Sequence, residues 1–379
     1  MSANRASAVH ASVSASLARR SRASLARAGL SAVALALGLQ GAAAQTLPAG
    51  PAVAVTAVTQ PSPTMPQYTM VDVPLLAEGV AQDSGGRVKV NLQSWPQMNV
   101  SGPDVIRLVR SGQVEIGAVA LGVVSGDAPI LDVVDLAGLN PTIEQAKAVS
   151  EAMKGDINAR LEKLGVKLVA AYPFAAQVFF CRKPVSGVAD LKGLKIRTNG
   201  PSVIDFVGAF GGQGVAVAFP EVYGALERGA IDCAITGTGT GNSVKWFEVA
   251  KYMYALPSTW SIGGYFVNLK WWNGLAPEVR TFLEGRLKQV EEAQWKLGAE
   301  ATVDGIACNI GDAAHCKIHK VVTDKPMTNV DPSPAEIAAV KKVFAETVLP
   351  RWVKRCGAEC GEIYNRVVAP LSGAAYKPE

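Results

Sequence analysis

The stretch "LKIRTNGPSVIDFVGAFGGQGVAVAFPEVYGALERGAIDCAIT", from Leu194 to Thr236, decides the fold class. Its pieces "LKIRT", "GVAVAF" and "AIDCAIT" are short and apolar like strands, whereas "PSVIDFVGAF" and "PEVYGALERG" have helical spacing and begin with Pro. Strands that alternate with helices are typical of a parallel sheet covered by helices. The stretch therefore predicts an α/β fold.

The first half of the chain shows the same alternation. The pieces "YTMVDVPLLAEGVAQDS", "RVKVNLQ", "GPDVIRLVRSG" and "QVEIGAVAL" predict helix, strand, helix and strand in turn. Residues 276–305 keep helical periodicity throughout, which is long for a helix of a globular protein. Two α/β units with one long helix predict two lobes and a cleft between them, where ligands of open α/β sheets tend to bind.

The N-terminus has the pattern of an export signal. Four arginines (Arg19, Arg20, Arg22 and Arg27) precede the short apolar run Gly29–Gly41, and small residues follow it. This pattern predicts a signal peptide over residues 1–44, cleaved near Ala44, and a periplasmic mature protein. The Arg pair hints at twin-arginine export, but the residues after it fit the general route better. Because no Cys precedes Cys181, a lipid anchor at the cleavage site is excluded.

The positive charge of the chain belongs to this segment. The formal net charge is +5, and residues 1–44 hold five Arg and no acidic residue. The mature chain is therefore about neutral, which argues against nucleic acid as a partner. With 18% charged and 49% hydrophobic residues over its full length of 379, the chain has the composition of an ordered globular protein.

The run "TGTGTGNS" after the decisive stretch raises the question of a phosphate-binding enzyme. A phosphate loop needs Lys and Ser or Thr after its last glycine, but Asn242 and Ser243 follow Gly241. A dinucleotide fingerprint is absent. A Ser or Cys nucleophile would need a base, and the two histidines after residue 44 both lie in the cysteine loop near the C-terminal tail. The sequence therefore predicts a binding protein without a cofactor rather than an enzyme.

Six cysteines fit an exported protein. Cys308 and Cys316 are close in sequence, as are Cys356 and Cys360, so we predict disulfides within these two groups, although other pairings of the four are possible. Cys181 and Cys233 lie in apolar runs and are predicted to be buried thiols. His315 and His319 flank Cys316 and leave a zinc site conceivable. We favour a disulfide-closed surface loop with two exposed histidines and no metal.

Three motifs carry a family resemblance. "FFCRKPVSGVADLKGLKIRT", "AFPEVYGALERGAIDCAI" and "KWFEVAKYMY" follow one another between Phe179 and Tyr254. This ordered set resembles the solute-binding (DctP-type) subunit of tripartite ATP-independent periplasmic (TRAP) transporters, over roughly residues 50–350. The resemblance implies a two-lobed periplasmic-binding-protein (type II-like) fold with a long helix spanning both lobes. It also implies integral membrane subunits of a TRAP transporter as partners.

The implied lobes divide the chain into segments. Lobe I is predicted to comprise residues 45–174 with the return segment 261–301, and lobe II residues 175–260 with the C-terminal segment 302–379. The alternatives to permease delivery are a solute-binding protein that feeds a sensor and a secreted α/β enzyme.

Arg197 is the main candidate for ligand binding. It ends an otherwise apolar strand and precedes turn residues, so its guanidinium should point into the cleft, where it can hold a carboxylate with two hydrogen bonds. The resemblance assigns the same role to this residue.

The resemblance implies further pocket positions. They are Gln177, where some relatives have a second arginine; Thr236, where many have asparagine; the aromatic Phe219; and Ala120 with Leu121 beside it. Asn199 in the turn after the strand and Trp260, which could close over the ligand, complete the candidate set. One cation, an amide, a hydroxyl and apolar neighbours predict a small organic monocarboxylate with apolar, aromatic or 2-oxo character.

Overall fold

The computed structural model describes residues 47–378 of the chain. This part folds into two sheets covered by helices. The strands are β1 (Val53–Thr59), β2 (Val88–Ser94), β3 (Ile116–Ala120), β4 (Val166–Tyr172), β5 (Gln177–Cys181), β6 (Lys195–Thr198), β7 (Gln213–Ala216), β8 (Cys233–Gly237), β9 (Tyr252–Tyr254), β10 (Gly263–Asn268) and β11 (Thr328–Val330). The first sheet has the order β2-β1-β3-β10-β4, and the second has the order β11-β9-β5-β8-β6-β7.

Helices of very different lengths cover both sheets. The α-helices are α1 (Gly79–Asp83), α2 (Trp95–Met98), α3 (Gly102–Ser111), α4 (Leu121–Val124), α5 (Ile143–Leu161), α6 (Pro201–Ala209), α7 (Val222–Glu227), α8 (Thr238–Ser243), α9 (Leu269–Gly274), α10 (Pro277–Asn309), α11 (Pro334–Val343), α12 (Leu349–Cys356), α13 (Ala358–Ile363) and α14 (Ala369–Ser372). Wider, π-type turns occur at Gln67–Glu78, Phe344–Val348 and Tyr364–Val368, and 3-10 turns at Pro129–Asp135, Glu162–Leu164, Val188–Leu191, Phe219–Glu221 and Trp246–Glu248.

Both sheets are mixed, whereas the sequence alternation predicted parallel sheets. Strands β1, β2 and β3 are parallel, but β10 is antiparallel to β3 and β4. In the second sheet, β5 is antiparallel to β8 and β9. The exceptions have a physical reason, because β5 and β10 each begin directly after the chain crosses from one sheet to the other. The α/β class itself is confirmed.

Local sequence explains where individual helices begin. Ser101 and Ser333 precede α3 and α11, and the acidic side chain three residues later accepts a hydrogen bond from the backbone N–H of each serine. This reciprocal arrangement satisfies amide groups that a helix start would otherwise leave without partners. Thr142 serves α5 in a simpler way, accepting from the amide of Gln145 at 3.2 Å.

The long helix α10 contacts both halves of the fold, as predicted. Gln294 donates to the backbone oxygen of Gln67 beside the first sheet at 3.1 Å. Further along, the backbone oxygen of Thr302 accepts from the hydroxyl of Thr238, which follows the second sheet, at 2.9 Å. Residues 47–378 contain no helix that is both long and apolar enough to cross a bilayer, and the predicted signal peptide lies outside the described residues.

Two short connections join the sheets, between β4 and β5 and between β9 and β10. The half-buried side chain of Asp135 accepts hydrogen bonds from the backbone N–H groups of Trp260 and Ile262 in the second connection, at 3.0 and 3.1 Å. Strands of the first sheet fall within the predicted lobe I, and strands of the second within the predicted lobe II. Helix α12 contacts both halves, since Trp352 donates to the oxygen of Pro129 at 2.8 Å and Arg351 pairs with Asp205 of α6 at 3.1 Å. The lobe boundaries stay a prediction.

The disulfide predictions are partly correct. Bonds join Cys308 to Cys316 and Cys356 to Cys360, as predicted. The prediction of buried thiols for Cys181 and Cys233 was wrong, because these residues are bonded to each other. They lie directly opposite each other on antiparallel β5 and β8, a register that the sequence did not reveal.

Candidate functional site

A cavity of about 410 Å³ lies between the two sheets. Its polar floor is built by strand ends: Arg197 comes from β6, Thr236 from β8 and Gln177 from the start of β5. Ala120, the last residue of β3, faces them from the first sheet. The cavity therefore lies at the carboxyl ends of parallel strands, the usual place for a ligand in open α/β sheets.

Arg197 is a buried cation without an anionic partner. Only 4% of the residue is exposed, its Nε donates to the backbone oxygen of Val217 at 3.1 Å, and its Nη1 donates to that of Ile235 at 2.9 Å. No carboxylate oxygen of an acidic side chain among residues 47–378 lies within 4 Å of its guanidinium nitrogens. Burial lowers the pKa of the guanidinium to about 10, so the group stays charged at neutral pH and is available to an anion.

Two polar side chains on neighbouring strands flank the guanidinium. Gln177 is 3% exposed, and its Nε2 donates to the backbone oxygen of Ala175 at 2.9 Å, which orients the amide. Thr236 is 4% exposed and lines the same cavity. Neither the amide oxygen of Gln177 nor the hydroxyl of Thr236 makes a hydrogen bond within the described residues, so both can meet a ligand.

Asn199 and Ser261 form a polar contact at the edge of the cavity. The Nδ2 of Asn199 donates to the hydroxyl of Ser261 at 3.3 Å, and its buried Oδ1 has no partner within the described residues. Asn199 follows β6 of the second sheet and Ser261 lies in the connection from β9 to β10, so the contact ties this strand end to that connection.

The remaining walls are mostly apolar. Phe219 lies beneath the guanidinium, with its ring centre 5.7 Å from the Cζ of Arg197, and it packs against Trp246. Phe174 and Trp95 complete the aromatic surface. The indole N–H of Trp95 donates to the oxygen of Ala118 at 3.1 Å, so the ring is held in place and presents apolar atoms to the cavity.

Two sequence candidates do not line the cavity. Leu121 begins α4 and is 1% exposed within the apolar core. Trp260 turns away, since its indole N–H donates to the oxygen of Asn140 at 3.0 Å. Trp95 and Phe174 take their place, although nothing in the local sequence marked these two aromatics as cleft residues.

The Thr-Gly run begins a short buried helix. Thr238 is fully buried and bonded to α10, whereas Thr240 lines the cavity. A Cβ at Gly239 would lie 2.2 Å from the ring of His319, and one at Gly241 would lie 2.4 Å from Phe180. The glycines thus allow close packing of α8 between its neighbours, and the run is neither a phosphate loop nor a flexible turn.

Comparison with known families agrees with this geometry. Residues 57–346 match the family described as bacterial extracellular solute-binding protein, family 7 (DctP). The chain belongs to this family. The resemblance seen in the motifs between Phe179 and Tyr254 is thereby confirmed.

One relative of this chain is named for the ligand that it binds. The 2,3-diketo-L-gulonate-binding periplasmic protein YiaO of Escherichia coli strain K12 is 31% identical over 195 residues, which are 51% of this chain and 60% of that protein. The match thus spans less than two thirds of that relative's length.

Solved structures share the family 7 fold. DctP7 of Bordetella pertussis, an extracytoplasmic solute receptor binding pyroglutamic acid, superposes with a TM-score of 0.70 at 22% identity, over 82% of this chain and 98% of that one. A TRAP periplasmic solute-binding protein of Desulfovibrio salexigens with bound orotic acid gives a TM-score of 0.72 at 20% identity, over 84% and 99% of the two chains. These likenesses establish the two-lobed α/β fold.

The loop that contains Cys316 and His319, which we call the clasp, is hydrogen-bonded to helix α10 and has a structural role. Asp304 of α10 accepts hydrogen bonds from the backbone N–H groups of Lys317, Ile318 and His319, and it also bonds the His319 ring at 2.6 Å. His315 is exposed as predicted, but the prediction that His319 is exposed was wrong: its side chain is 2% exposed. Burial lowers the pKa of His319, against the effect of the neighbouring carboxylate.

This clasp also bears on the zinc alternative. The side chains of Asp304, Cys308 and Cys316 lie close enough together to be considered as metal ligands. Both sulfurs are bonded to each other, however, and the carboxylate is occupied by the loop amides. A cysteine ligates zinc as a thiolate, and neither sulfur is one here, so these three side chains do not fit a metal site.

Proposed function

We propose that this protein is the exported, periplasmic solute-binding subunit of a TRAP transporter and that it binds a small organic monocarboxylate in the cleft. The observation that carries the proposal is Arg197, a buried guanidinium with no anionic partner among the described residues. Burying an unpaired charge is costly, and such a group is retained where a ligand supplies the opposite charge.

The bonds that Arg197 already makes define how a carboxylate would bind. Its Nε–H and one N–H of Nη1 are held by backbone oxygens. One N–H of Nη1 and both of Nη2 remain, so both terminal nitrogens keep donors for a carboxylate placed at the edge between them. A carboxylate there accepts two parallel hydrogen bonds, an arrangement that the single ammonium of lysine cannot reproduce.

The rest of the cavity limits the ligand to one charge. Arg197 is the single ionisable side chain among the described residues that line it. A second carboxylate would therefore be desolvated without a cation, at a cost of a few kcal/mol. The amide oxygen of Gln177 and the hydroxyl of Thr236 suit a 2-hydroxyl or ring N–H donor, and the Thr236 hydroxyl can also donate to a 2-oxo group.

The apolar walls favour a ring or an unsaturated tail. Trp95, Phe174 and Phe219 line a volume of about 410 Å³, within the range of small-molecule sites. Pyroglutamic acid and orotic acid, bound by the two solved relatives, each combine one carboxylate with a planar or nearly planar ring. Their chemistry is consistent with the class we propose here.

The mechanism follows from the position of the site. Ligand binding between two lobes excludes water, which strengthens the attraction between Arg197 and the carboxylate because the local dielectric falls. The closed protein then docks on the integral membrane subunits, which use an ion gradient in this class of transporter. In this proposal the chain binds and releases its ligand and does not transform it.

A thermal-shift panel tests the ligand class. Orotate, pyroglutamate and phenylpyruvate are compared with succinate and sialic acid at equal concentrations. We expect at least one ring or 2-oxo monocarboxylate to raise the melting temperature, since a ligand that binds only the native state stabilises it. Stabilisation by the dicarboxylate succinate or by the polyhydroxylated sialic acid, with no effect of orotate, pyroglutamate or phenylpyruvate, would refute the proposed class.

A further inference from the structure

Two glycines from opposite sheets touch at the rim of the cavity. Gly122 lies in α4, directly after β3 of the first sheet, and Gly200 precedes α6, directly after β6 of the second. Both line the cleft. A Cβ at Gly200 would lie 2.8 Å from the backbone oxygen and 3.3 Å from the Cα of Gly122. The two backbones therefore approach more closely than any side chain at Gly200 would permit.

The backbone conformation of Gly200 does not itself require glycine. Its φ is −179° and its ψ is 167°, an extended conformation that any residue adopts. The contact with Gly122 is thus the feature that a larger residue would disturb.

A hydrogen-bonded latch lies directly behind the glycine contact. Asp132, from the segment after α4, accepts from the hydroxyl of Ser202 at 3.1 Å and from its backbone N–H at 3.3 Å. Ser202 is in the first turn of α6, where the free amide groups need hydrogen-bond acceptors. Asp132 and Ser202 are 5% and 1% exposed, so the latch excludes water.

Helix α12 also holds α6 in place. Arg351 and Arg355 of α12 contact Asp205 of α6 at 3.1 and 2.5 Å. On its other side α12 is fixed to the first half of the chain through the bond between Trp352 and Pro129 at 2.8 Å. Helix α6 is therefore clamped between α12 and the segment that carries Asp132.

We propose that Gly200 and Gly122 form the closing contact of the two lobes, locked by Asp132 and Ser202, and that Gly200 positions α6 as a wall of the ligand site. Pro201 and Ile204 of α6 line the cavity, so a displaced α6 opens this wall. The role in closure rests on the proposed binding function, but the contact can be tested without a ligand.

The test compares Gly200→Ala with a matched control, Gly208→Ala. Gly208 lies in the same helix α6 and does not line the cavity, and a Cβ there meets no atom within 4 Å. Spin labels are attached through Lys89→Cys and Glu227→Cys on opposite lobes. All cysteines of the described residues are in disulfides, so the new thiols react selectively. Distance distributions are recorded without ligand and with orotate, pyroglutamate and phenylpyruvate.

We expect the protein with native glycines and the Gly208→Ala variant to populate the label distance of this structure. Gly200→Ala should lose that population and bind the stabilising probe about tenfold more weakly or worse, because overpacking forces the backbones apart. An unchanged distance distribution and affinity in Gly200→Ala would overturn the proposal. So would the absence of this distance from the protein with native glycines in every condition.

A second variant guards against misfolding of the first. Ser202→Ala removes the hydroxyl that donates to Asp132 without adding an atom. It should also reduce the fraction of molecules at the label distance of this structure. Arg197→Met separates the two proposals, because it should abolish probe binding while leaving the Gly122–Gly200 contact intact. If Arg197→Met still binds, the carboxylate anchor fails, and the distance measurement alone decides the closing contact.

Discussion

Replacing Arg197 with methionine should separate the stability of the protein from its function. Methionine has a similar length and no charge, so it removes the guanidinium without leaving a large cavity. The lowered pKa, from 12.5 to about 10, corresponds to roughly 3 kcal/mol of lost hydration that the ligand-free protein carries. Removing the charge recovers this free energy.

The same substitution also removes two hydrogen bonds. The backbone oxygens of Val217 and Ile235 lose their donors, which costs about 1 kcal/mol each. These effects nearly cancel, so the free energy of unfolding without ligand should change by less than about 2 kcal/mol. The melting temperature should then shift by about 5 °C or less.

Ligand binding should respond in a different way. Truncating one partner of a buried charge pair costs about 2–5 kcal/mol, so affinity for the stabilising monocarboxylate should fall by about thirtyfold to several thousandfold. Arg197→Lys should also bind weakly, because it keeps the charge but not the paired donors. The assays are calorimetric titration and thermal melting of the same samples.

Arg286 provides a matched control. It is also a buried arginine, but it contacts Asp83 at 2.5 Å and the oxygen of Leu75 at 2.8 Å. Arg286→Met should lower the free energy of unfolding by about 2 kcal/mol, because it leaves a partly buried carboxylate unpaired, and it should leave affinity unchanged. If Arg197→Met melted far below Arg286→Met, or bound the acid normally, Arg197 would be a structural residue and our reasoning would be refuted.

Three further predictions concern the closing contact, the disulfide between β5 and β8, and the packing of α8. Burial raises the pKa of Asp132 to about 7, and Ser202, Arg355 and Asp205 face its carboxyl group. Its contribution to stability should therefore be complete below pH 4 and lost as the pH rises through 7. Asp132→Asn should remove this part of the pH dependence of the melting temperature, and identical pH profiles for the variant and the unaltered protein would contradict the prediction. Replacing both Cys181 and Cys233 with alanine should lower the free energy of unfolding by about 4 kcal/mol, because the disulfide closes a loop between residues 52 apart. Chemical denaturation measures this loss, and a value below about 1 kcal/mol would contradict the prediction. Gly239→Ala should destabilise the protein by about 1–3 kcal/mol through contact with the His319 ring, and His319→Ala in the same chain should restore part of this loss.

Local patterns predicted the elements of this protein well. The alternation from Leu194 to Thr236 predicted three strands and two helices that the structure contains, and the long helical periodicity predicted α10. Arg197 was predicted to face a cleft because a charged residue ends an apolar strand, and it lines the cavity. These features depend on neighbours in sequence, which a single chain displays directly.

Features that depend on distant neighbours were not predicted. The Cys181–Cys233 bond requires the register of β5 on β8, and the burial of His319 requires Asp304 of α10 and Gly239 of α8. Trp95 reaches the cavity only because its indole is fixed to β3. Such contacts are set by tertiary packing, for which propensity and periodicity provide no signal.

The most direct test of the carboxylate anchor compares an acid with its own amide. Orotate and orotamide, or pyroglutamate and pyroglutamide, have nearly the same shape but differ in charge. Calorimetry with whichever acid stabilises the protein should show the acid binding at least about a hundredfold more tightly than the amide, and Arg197→Met should abolish the difference. Equal affinity for acid and amide in the unaltered protein would contradict the account.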